Sequence, residues 1–100
     1  MGKITYIYQT GVYPGGVEVK LDEGEKIIIA SSSSGIKIYE KILIFPKLLW
    51  SCDTVSLIEK MFSLPKEFPL YSPLEVIANN IIDRFKSKQE LVSFLTNFKV

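Results

Sequence analysis

One hundred residues, 47% hydrophobic and 23% charged, suit one small domain and leave no room for a second core. Twelve Lys+Arg against eleven Asp+Glu give a net charge of +1, so no bulk field recruits nucleic acid or an anionic membrane. Histidine is absent and Cys52 is the single cysteine, which removes an internal disulfide, histidine acid–base chemistry and a Cys/His zinc site.

The N-terminal residues 1–10 alternate polar and apolar, without the contiguous apolar core of a signal peptide. Within residues 3–9, Ile4, Tyr6 and Tyr8 face one way and Thr5, Ile7 and Gln9 the other. Pro14, Gly15 and Gly16 supply turn chemistry, since proline presets the first turn dihedral and glycine accepts positive φ. Val17, Val19 and Leu21 then alternate with Glu18 and Lys20, the pattern of a half-buried strand. A turn over residues 22–25 leads to Ile27, Ile28 and Ile29, apolar on both faces and therefore an interior strand. A serine-rich loop over residues 31–35 closes a hairpin into the longest predicted strand, residues 36–45. There Ile36, Ile38, Ile42 and Ile44 share a face with Glu40, and Lys37, Tyr39, Lys41, Leu43 and Phe45 share the other. Short connections between these strands require antiparallel pairing, because parallel pairing needs a crossover of about a dozen residues.

From Pro46 the period changes. Asp53 is placed to cap a helix running to about residue 64, with Val55, Ile58, Met61 and Phe62 on one stripe. Pro65, Pro69 and Pro73 make the next segment an extended connection. Ser72 and Pro73 open a second helix whose stripe is Leu74, Ile77, Ala78, Ile81 and Phe85. Ser87 and Glu90, at capping-box spacing, open a third carrying Leu91, Val92, Leu95 and Phe98. Strands first and helices afterwards give an α+β fold. The expected architecture is an N-terminal antiparallel β-meander of about four strands, with two to three C-terminal helices packed on one face. The single domain 1–100 divides into a sheet over residues 1–45 and a helical part over residues 46–100.

Catalytic furniture is sparse. The serine run lacks the lysine and the following helix of a phosphate-binding loop. Cys52 has no histidine to act as its base, so it reads as a small buried hydrophobe. Glu40, the one charge on its strand's apolar face, would need a cleft for catalysis and otherwise pairs with a lysine. No catalytic residue, metal or cofactor is expected, and the chain reads as no enzyme.

Two surfaces remain. Phe45, Leu48, Leu49 and Trp50, with Phe68 and Tyr71, sit in segments read as connections, where a small core has no room for them. They predict a protein interface, most simply a twofold homodimer. The alternative is an aromatic and lysine sheet face that stacks single-stranded nucleic acid, using Tyr6, Tyr8, Lys37, Tyr39 and Lys41. The longest apolar run, residues 42–50, is broken by Pro46 and Lys47 and is too short to span a bilayer. The sequence therefore predicts a cytoplasmic protein with a protein partner or itself as partner, and no membrane. Eleven lysines to one arginine, with thirteen isoleucines, is the bias of an AT-rich or hot-living source.

Overall fold

Alternating β-branched residues and short turns set up a sheet whose apolar face the C-terminal helices cover. The computed structural model describes residues 2–8, 16–31, 35–43, 45–63 and 74–98. Five strands, β1 (Lys3–Tyr8), β2 (Gly16–Lys20), β3 (Lys26–Ser31), β4 (Ile36–Ile42) and β5 (Phe45–Cys52), precede α1 (Val55–Met61), α2 (Glu75–Arg84) and α3 (Lys88–Asn97). The strands lie in sequence order β1-β2-β3-β4-β5, each antiparallel to the next. This is the expected α+β meander with one strand more. The sheet runs to Cys52 instead of ending at Phe45, because Leu43 turns the chain and residues 45–52 return along β4.

Val17, Val19, Leu21, Ile27, Ile29, Ile36 and Ile38 form the sheet's contribution to the core. Against them pack Ile58, Met61 and Phe62 from α1 and its end, Leu74, Ile77, Ala78, Ile81 and Phe85 from the α2 region, and Leu91 and Leu95 from α3. α2 lies against β1 and β2, whereas α1 and α3 lie against β5.

Local chemistry explains the ends. Ser87 Oγ accepts from Glu90 N at 3.2 Å, the N-cap that the sequence predicts for α3, while Glu90 Oε1 reaches back one residue further, to Lys86 N at 2.9 Å. Asp53 does not cap α1. Thr54 takes the N-cap position without a side-chain bond, and Cys52 Sγ accepts from Thr54 N at 3.4 Å. The helix is also shorter than expected, ending at Met61. Its terminal carbonyls are held by α2: Arg84 Nη1 donates to Met61 O at 2.9 Å and Asn80 Nδ2 to Phe62 O at 2.8 Å. Gly35 is obligatory where β4 begins, since a Cβ there would collide with the Cys52 carbonyl oxygen of β5.

The turn predicted at Pro14 and Gly15, the serines 32–34, the three-proline connection and the Ser72–Pro73 helix start lie outside the described residues.

Candidate functional site

Two features of the sheet stand out once the core is assigned. The first is the β4–β5 hairpin. Its turn follows directly on Ile42, where hairpins of this length favour Asn-Gly because both central residues need positive φ. Here Leu43 occupies that conformation, with φ 54, and is 88% exposed. Phe45 is 71% exposed and Ile42, directly opposite it, 45%, so the tip is apolar; Leu48, 51% exposed, lies opposite Tyr39 and belongs to the other face of the strand. A bulky apolar residue in the left-handed region and exposed to water is unfavourable on both counts. Pro46 and Lys47, both exposed, follow on the edge strand.

The sequence-predicted interface is divided by the register. Ile42 lies opposite Phe45 and Tyr39 opposite Leu48, but Ile38 lies opposite Trp50, so Leu49 is an extra residue in a bulge. Phe45 and Leu48 consequently stay exposed, while Leu49 and Trp50 are half-buried and pack against the core. Ile42 and Leu43 join the surface although sequence reasoning placed them within one long strand. Phe68 and Tyr71 lie outside the described residues.

The second feature is the sheet face turned away from the helices. Tyr6 lies opposite Glu18, Glu18 opposite Ile28, and Ile28 opposite Tyr39, so these side chains form one row across the sheet. A bulge at Thr5 between Ile4 and Tyr6 shifts the alternation, sending Ile4 to the core face and Tyr6 to the outer one. Tyr6, Lys37, Tyr39 and Lys41 are thereby brought onto one face, as the alternative reading requires. Tyr8 pairs with Gly16, and its side chain lies outside the described residues.

In the middle of this face Glu18 is buried. Thr5 Oγ1 donates to its carboxylate at 2.7 Å, Lys41 Nζ lies at 2.8 Å and Lys26 Nζ at 4.0 Å. Buried charge is tolerated only when paired and hydrogen-bonded, and these partners from β1, β3 and β4 supply that.

The other candidates take structural roles in the observed geometry. Glu40 receives Lys88 Nζ on both oxygens, at 3.0 and 3.1 Å, which ties β4 to the first turn of α3. Glu25 accepts from Lys88 N at 2.6 Å and fixes the same turn. Cys52 is half-buried beside Thr54. Among the described residues no group of His, Cys, Asp and Glu could hold a metal ion, and no helix is long and apolar enough to cross a membrane. Comparison with protein-family models, with curated proteins and with solved structures returns no match.

Proposed function

We propose that this chain is a small, non-enzymatic protein-interaction module of the cytoplasm that self-associates through the β4–β5 hairpin as a twofold homodimer. The observation that carries this is the apolar tip, with Leu43 88% and Phe45 71% exposed on a turn that a polar dipeptide would form with less strain. Such side chains form an apolar patch on the order of a few hundred Å², near the limit of what a monomer leaves bare. A standard interface takes about 800 Å² per partner. The half-buried Leu49 and Trp50 and the polar flank at Lys47 supply the remaining rim.

The contact is made by side chains. Pro46, Lys47 and the bulge at Leu49 all blunt β5 against addition of a further strand. A twofold operation then sets the tip of one protomer against the exposed strand of the other, so each apolar contact occurs twice. A protein partner of this kind needs neither cofactor nor membrane, and the lone Cys52 thiol suits a reducing compartment.

Light scattering over a concentration series tests the reading. The wild-type chain should pass reversibly from monomer to dimer, and Phe45→Glu should remain a monomer with an unchanged fold. A wild-type chain that stays monomeric at every concentration overturns it.

A further inference from the structure

The net charge of +1 conceals a cation row on the outer sheet face. Lys3 lies directly opposite Lys20, and Lys20 directly opposite Lys26. Lys41 reaches the same place from β4, since its Nζ and that of Lys26 converge on Glu18. Neighbouring strands are about 4.8 Å apart, and like charges placed directly opposite one another destabilise a sheet. Glu18 offsets part of this for Lys26 and Lys41. Lys3, Lys20 and Lys37 are exposed and take part in no ion pair among the described residues.

The aromatic row runs parallel to the cation row. Tyr39 and Lys41 are two residues apart on β4, about 6.6 Å along the strand. On β1 the corresponding pair is Tyr6 and Lys3, three residues apart, which in a regular strand would face opposite sides. The bulge at Thr5 removes that mismatch and puts Tyr6, 57% exposed, on the lysine face. The two rows therefore coincide on one face only because the strand is irregular there, and bulges of this kind re-aim side chains.

We infer that this face binds single-stranded nucleic acid, with Lys3, Lys20, Lys26 and Lys37 meeting phosphates and Tyr6 and Tyr39 stacking on bases. A chain of phosphates supplies the negative charge that the aligned lysines lack. Unpaired bases supply flat faces for the tyrosines, which a duplex keeps stacked inside. A bilayer fits this face less well, because Ile28, in the aromatic row, is buried in the sheet surface and the exposed Leu48 sits only at the edge, opposite Tyr39. The site adjoins the hairpin contact at Leu48, which lies opposite Tyr39, but its lysines and Tyr6 lie away from the tip residues Leu43 and Phe45.

Fluorescence anisotropy of a short labelled oligothymidylate, titrated at several salt concentrations, tests this. Affinity should fall with salt, and Lys3→Gln and Lys20→Gln should each flatten the logarithmic salt slope by about 0.7. Tyr6→Leu should weaken binding about ten-fold without altering the slope. Lys60→Gln, on α1, should change nothing, and Phe45→Glu should bind as the wild type does even when it no longer self-associates. Lys20→Gln should also unfold at a slightly higher temperature, since it relieves the lysine row. Absence of binding at low salt overturns the inference. So does equal affinity for a duplex, equal loss in Lys60→Gln, or retention by anionic vesicles in place of the oligonucleotide.

Discussion

Arg84 shows how much one side chain can join. It is the only arginine in a chain with eleven lysines. Its Nη1 donates to Met61 O at 2.9 Å and to Asn80 Oδ1 at 3.1 Å, while its guanidinium carbon sits 4.5 Å from the Phe94 ring centroid and 5.2 Å from that of Phe85. A planar fork can donate in its plane and stack on its face at the same time, which an ammonium cannot. The α1 end, α2 and α3 thus meet at one residue. Arg84→Lys should lower unfolding free energy by about 1 kcal/mol in denaturant titration, through the lost carbonyl bond and stacking. No change in midpoint would show that the cluster holds without it. Nothing in the sequence marks Arg84 for this role, because its partners are brought to it by packing.

At the scale of elements, the proposed role of the hairpin tip runs against stability. The left-handed conformation at a non-glycine residue costs about 1–2 kcal/mol, and asparagine tolerates it better than leucine. Leu43→Asn should therefore raise the thermal midpoint of the monomer while weakening dimerisation, read by calorimetry and light scattering on one sample. A variant that is less stable and still dimeric would contradict the role given to the tip. The same hairpin explains what was hidden in the sequence. Ser87 with Glu90, and the stripes from Leu74 to Phe85, announce α2 and α3 because capping and helical periodicity are local. The β4–β5 turn carries no Asn, Gly or Asp, and Pro46 reads as a strand breaker although an edge strand accepts it. A fifth strand was invisible for that reason. The exposure of Phe45 and Leu48 was legible from apolar excess. The inward turn of Leu49 and Trp50 depends on a bulge that no periodicity records.

For the whole molecule, the helices cover one side of the sheet and leave its other side and its hairpin tip uncovered. Glu18 shows why composition misled at this scale. A balanced charge count does not reveal that one acid is buried beneath the lysines while others, such as Glu25 and Glu40, are engaged at the start of α3. The apolar count is likewise divided between a two-sided core and a tip that the core does not absorb. The most direct measurement is an isotope-filtered NOE experiment on a sample mixed from labelled and unlabelled protein. It reports only contacts between protomers. The account predicts intermolecular signals from the side chains of Leu43, Phe45 and Leu48; an absence of such signals at concentrations well above dimerisation, or their appearance only elsewhere on the molecule, would contradict it.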